Sequence, residues 1–248
     1  MKTMHLNKVI AIAQVKLKAF MGKNCIIMPL FSIGFTLLMK YLYSSMSTGV
    51  SSQEYLNAYV LGMGLVMNLG MCGIYCPSLL LAEEKEKNTL RVLMTSSVNS
   101  LEFFAGSILP VFFITVLINF LLIPISGFAM DGGQLGLFAL VSVIASLTSC
   151  IIGMILGIFA KNQVSAGTIT TPVLLLLVMV PIFGDVVEAL SGLSEYVFTG
   201  IVMDMIMAMG DGAKKVLDSG SIVVMACEVI LAVLLFLFFY KRNGFERD

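Results

Sequence analysis

Six separate stretches of the chain are long and apolar enough to cross a bilayer, and this repetition limits the fold more than any other feature. About 20 apolar residues span the hydrocarbon core as a helix. Stretches of that length run over residues 24–43, 58–82, 103–128, 134–160, 164–183 and 221–240. Pro29, Pro77, Pro110 and Pro124 fall inside them. Within lipid, neighbouring helices can satisfy the backbone groups that a proline frees. Composition agrees with this reading. Of the 248 residues, 58% are hydrophobic and 12% charged, against about 25% charge in soluble domains. A water-soluble body of this length keeps too much of its chain at the surface to hide that apolar area. The expected fold is therefore an all-α integral membrane protein with six transmembrane helices.

Basic residues orient such a protein, because Lys and Arg concentrate in cytoplasmic segments. With the N-terminus inside and six crossings, the inner segments carry Lys2, Lys8, Lys16, Lys18, Lys23, Lys85, Lys87, Arg91, Lys161, Lys241, Arg242 and Arg247. Only Lys40, Lys214 and Lys215 fall outside, and Lys40 is close enough to a helix end to snorkel. Both termini are expected in the cytoplasm. A seventh apolar stretch, residues 197–209, is too short to cross and contains Asp204. It fits a re-entrant or interfacial segment, so residues 184–220 are expected to form an extracellular elaboration with two short helices. Residues 1–23 do not match the start of a cleaved signal and are read as retained.

Several chemistries are not expected. The 15 basic residues cancel 15 acidic ones without a dominant basic block, which disfavours a nucleic-acid partner. Cys25, Cys72, Cys76, Cys150 and Cys227 all lie in apolar runs and read as small hydrophobes. Cys72 and Cys76 are one helical turn apart, but a structural zinc site needs four ligands and His5 is the only histidine. No metal site and no catalytic residue are expected.

At the N-terminus, Leu6, Val9, Ile10, Ala13, Leu17, Phe20 and Met21 recur at helical spacing, with Lys8, Gln14 and Lys18 largely opposite. This predicts an amphipathic helix over residues 1–23 lying in the inner interface. It serves either as a topology anchor or as a lever between a cytoplasmic partner and the first span.

The densest charge in the chain falls between the second and third spans, at Glu83, Glu84, Lys85, Glu86 and Lys87. Leu90, Leu93 and Met94 follow at helical spacing, then a Thr95-Ser96-Ser97 turn. Such a run is either a solvated loop or a polar helix with an apolar stripe that docks into something cytoplasmic. This stretch resembles the signature of type-2 ABC transporter permeases, an acidic-basic run leading into Thr-Leu, a Leu-Leu helix, a turn and a glycine. Glu84, Glu86, Thr89, Leu90, Leu93, Thr95, Val98 and Gly106 stand at the matching places. Asn88, Ser97 and Ser107 depart from the usual Gly, Pro and Lys.

The resemblance covers the whole chain and implies one permease domain, similar to the type V ABC exporter fold. Residues 83–102 would form the cytoplasmic coupling-helix loop, with Glu83, Glu84, Glu86, Thr89, Leu90, Leu93, Met94 and Thr95 meeting the ATPase. It further implies two cytoplasmic ABC ATPase subunits per complex and a second permease chain, with homodimer expected. The site is a multi-pass cell membrane, read as a bacterial plasma membrane. The chain has no G-x-x-x-x-G-K-[ST] loop, so ATP and Mg belong to the partner and no cofactor is expected on this chain.

Three polar residues lie inside the spans and are candidates for a substrate path: Glu228, Asn119 and Asn68. An intramembrane carboxylate is costly unless paired or wetted. Glu228 is read as either functional or an acid snorkelling to the outer interface. The asparagines suit interhelical hydrogen bonds better than ligand contacts. The leading functional expectation is the membrane subunit of an ATP-driven exporter of a hydrophobic or peptide-like compound. A proton- or ion-coupled secondary transporter and a non-transporting anchor subunit are the alternatives.

Overall fold

The computed structural model describes residues 5–21, 23–46, 53–88, 100–184, 187–213 and 216–242. Among these residues there is no strand. The helices are α1 (Leu6–Phe20), α2 (Lys23–Met46), α3 (Gln53–Glu86), α4 (Ser100–Ser126), α5 (Gly132–Phe159), α6 (Gln163–Phe183), α7 (Glu188–Ser194), α8 (Phe198–Gly210) and α9 (Ser219–Arg242). Six of them, α2 to α6 and α9, are long and apolar enough to cross a membrane. That is the number expected from the sequence.

The second span departs most from its expected length. Instead of ending at residue 82, α3 runs unbroken for 34 residues to Glu86. The charges Glu83–Glu86 therefore end the span helix and do not belong to a separate docking helix. Residues 89–99, which hold the rest of that expected helix, lie outside the described residues.

α3 is buried along most of its length and forms the centre of the bundle, whereas α2 and α9 are buried along little of theirs. Its middle, Leu69–Tyr75, widens into a π-helical segment immediately before Cys76 and Pro77. A proline inside an α-helix loses one backbone bond and collides with the carbonyl four residues earlier. The wider turn removes that collision without ending the helix. α5 crosses α3 at this segment. A methyl on Gly153 would overlap the Ile74 carbonyl, so only glycine permits the observed approach. This is the close, small-residue packing that stabilises helices in lipid, where hydrophobic burial no longer distinguishes partners.

The expected outer elaboration contains two short helices, α7 and α8. α8 is packed into the bundle, and Phe198, Ile201, Val202, Met203, Met205 and Ile206 are all buried. Gly62 of α3 faces Met203, and Gly210 of α8 faces Ala58, so the two backbones lie close. Asp204, the residue that interrupts this apolar stretch, is on the exposed side.

α1 is amphipathic, and one flank of it packs against the protein. Val9, Ile12, Lys16 and Phe20 form the buried stripe, at the three- and four-residue spacing of one helical face. Leu6, Ile10, Leu17 and Met21 are exposed. α1 crosses the start of α4 at Gly106, where any side chain would strike Ile12 and the Val9 carbonyl.

Candidate functional site

α1, the C-terminal end of α3, the start of α4, the α5–α6 turn and the end of α9 gather at one end of the bundle. Phe104 of α4 lies edge-on to Phe236 and Tyr240 of α9, with ring centroids 4.5 Å apart in both pairs. This end carries the charged run, and each member of the run has a specific partner.

Glu84 forms an ion pair with Lys16 of α1. The Lys16 side chain is 4% exposed and that of Glu84 16%, so neither charge is screened as a surface pair would be. The Lys16 ammonium also sits 4.9 Å from the centroid of the Phe103 ring, within cation–π range. Burial pushes the Lys16 pKa down from its usual value to about 7, against the opposing pull of the Glu83 carboxylate. Lys85 reaches the end of α5, donating to the carbonyls of Gly157 at 3.0 Å, Ala160 at 3.0 Å and Ile158. Those carbonyls have no partner within a terminating helix, and a cation there also suits the helix dipole. Glu86 accepts a hydrogen bond at 3.1 Å from the backbone N–H of Gln163, the first residue of α6. A carboxylate at a helix N-terminus is the complementary case. Glu83 pairs with Lys87 one turn on, at the surface. Buried Glu102 accepts from the His5 N–H at 2.7 Å, adding a second tie between α4 and the chain ahead of α1.

One turn of α3 therefore holds α1, the end of α5 and the start of α6, and leads directly into residues 89–99. Of the residues expected to meet an ATPase, Glu84 and Glu86 face the chain's own elements, and Glu83 lies on the surface in its pair with Lys87. Thr89, Leu90, Leu93, Met94 and Thr95 lie outside the described residues. Lys16 was not expected at this joint, and Lys85 and Glu102 fall within the 83–102 segment but were not among its expected contact residues. Lys16 could have been flagged from its position, because it falls between Val9, Ile12 and Phe20 on what is otherwise an apolar stripe.

Within the bundle, Asn68 and Asn119 join one network. Asn68 Nδ2 donates to the Thr115 carbonyl at 3.0 Å and to Asn119 Oδ1 at 2.8 Å. Asn119 Nδ2 donates to Ser142 Oγ at 2.9 Å and Ser146 Oγ at 3.1 Å. Both asparagines are fully buried, and the network ties α3, α4 and α5 together just before the π segment.

Glu228 does not join this network. Its Oε1 accepts a 3.1 Å hydrogen bond from the backbone N–H of Phe198, the first residue of α8. Val197 provides no side-chain cap, so α9 supplies the missing acceptor for α8. Glu228 Oε2 is buried with no hydrogen-bond partner among the described residues. Lys40, expected to snorkel, donates at 2.8 Å to the Ile125 carbonyl at the end of α4. The described residues contain no cluster of ligating side chains that could hold a metal ion.

Six apolar helices long enough to cross a membrane, one of them buried at the centre, joined by glycine-lined crossings and buried asparagine hydrogen bonds, define a multi-pass α-helical membrane protein. A family model described as ABC-2 family transporter protein matches residues 6–238, so the chain belongs to that family. Membership makes it a membrane component of an ABC transporter, not its ATPase. A search of curated proteins gave no match.

Proposed function

We propose that this chain is the permease subunit of an ATP-driven exporter, with the joint at Glu83–Lys87 passing force from a separate ATPase into the spans. The supporting observation is the set of ties at that joint. Anything that moves residues 89–99 pulls on α3, and through Glu84, Lys85 and Glu86 on α1, α5 and α6 together. A solvated loop would need no buried ion pair. In this reading both termini are cytoplasmic, α8 is a re-entrant segment at the outer side, and the architecture is that of a type V exporter in the cell membrane. Two ATPase subunits supply the ATP and Mg chemistry.

A second copy of the chain would complete the path. Support comes from α6, where Thr168 and Thr171 are exposed beside Gly167 and Pro172 in a groove that also includes Tyr75. Small and hydroxyl-bearing residues suit contact with another helix better than contact with lipid. The cargo is a hydrophobic or peptide-like compound, a class for which a path rich in Met and Phe is deformable enough. Purification of the tagged full chain from its own membranes tests this reading. The expected result is a stoichiometric ATPase that hydrolyses ATP with the permease bound. A chain that moves substrate on an ion gradient with no ATPase attached contradicts it.

A further inference from the structure

α1 has three distinct flanks. Val9, Ile12, Lys16 and Phe20 face the protein, and Lys18 faces outward. Between them lies a flank containing Ile10 and Leu17, which are 47% and 43% exposed. This flank forms one wall of a groove of about 390 Å³. The other wall is α4, from Leu109 to Leu117, with Phe113 and Leu117 exposed. At roughly 1.5 Å per residue the groove extends about 12 Å along α4. Gln14 is part of its lining, and Lys18, exposed, follows one turn later on the same face of α1.

An apolar slot between α1 and α4, with Gln14 in its lining and the exposed Lys18 one helical turn further along α1, suits one lipid acyl chain and an anionic headgroup. We propose that the groove binds a phospholipid with an anionic headgroup. One acyl chain lies between α1 and α4, and the phosphate sits beside Gln14 and Lys18. An interfacial basic residue attracts anionic headgroups, and the slot holds the chain in place, which an annular lipid would not experience. The bound lipid fills the gap between α1 and the third span, and so completes the packing of the helix that Glu84 grips.

Native mass spectrometry of the full chain tests the site, after reconstitution into equal phosphatidylcholine and phosphatidylglycerol and re-extraction in mild detergent. The wild type is expected to retain phosphatidylglycerol selectively. Lys18→Glu should lower that retention roughly five-fold or more, and Ala13→Phe, which fills the slot, should remove it. Lys161→Glu, the same charge change at the exposed α5–α6 turn, should leave retention unchanged. The proposal is overturned by equal retention of the two lipids in the wild type, by indifference to both groove variants, or by an equal effect of Lys161→Glu. It is also overturned if Ala13→Phe separates a dimer instead of releasing lipid. Melting curves of the variants separate loss of lipid from loss of fold.

Discussion

Lys16 of the N-terminal helix and Glu84 at the end of the second span form an ion pair buried between two elements that are 68 residues apart in sequence. Removing one partner strands the other charge, a loss of about 3 kcal/mol for a buried pair. Lys16→Met and Glu84→Gln are each expected to lower the melting temperature in detergent markedly. The double variant should recover much of the loss. Additive single effects would show that the two side chains do not act as a pair.

The pH dependence of the same pair has a definite sign. The folded-state pKa of Lys16, about 7, lies below its ordinary value of 10.5. The unfolded chain therefore binds more protons at this site, and stability rises with pH. The penalty for burying the ammonium is complete below pH 7 and disappears as pH rises toward 10.5. Wild type should gain stability relative to Lys16→Met/Glu84→Gln across that interval, measured by thermal unfolding in matched buffers. A relative loss over the same interval would contradict the assignment.

Asn119 contributes hydrogen bonds to α3 and α5 at once. Interhelical hydrogen bonds in membranes average about 0.6 kcal/mol each. Asn119→Leu should cost about 1–2 kcal/mol of stability, with ATPase binding at the distant joint unchanged. Loss of transport at unaltered stability would move this residue from the scaffold to the substrate path.

Glu228 holds α8 through the Phe198 N–H. Glu228→Gln keeps a carbonyl oxygen in place and should transport normally, whereas Glu228→Leu removes the cap at a cost of about 1 kcal/mol. Faster hydrogen exchange in α8 of the leucine variant would register the loss. If the glutamine variant folds but no longer transports, a proton-linked role for the carboxylate takes precedence over capping.

The number of spans was legible in the sequence because apolar run length is a local property. The short helix α8 was legible for the same reason, as the apolar stretch 197–209. The length of α3 was not, since Glu83–Glu86 read as a hydrophilic stop, and only their tertiary partners explain why the helix continues. The amphipathic character of α1 was legible, but which flank packs on the protein was not, because apolarity alone does not distinguish protein from lipid. Lys16 is buried and Ile10 exposed, against the usual soluble-protein rule. The asparagine bonds were expected by type, but the partners Ser142 and Ser146 of Asn119 depended on how α5 packs against α4. Glu228 was conspicuous in sequence, whereas its acceptor role required knowing where α8 begins.

The central claim is that the joint at the end of α3 transmits ATPase motion to the spans, and a charge exchange tests it most directly. ATP-driven transport into inside-out vesicles would be compared for wild type, Lys16→Glu, Glu84→Lys and the double exchange, with ATPase content measured in each. The account predicts that both single variants keep the ATPase bound but lose transport, and that the double exchange restores it. Full transport in the single variants, or no recovery in the exchanged pair at normal expression, would contradict it.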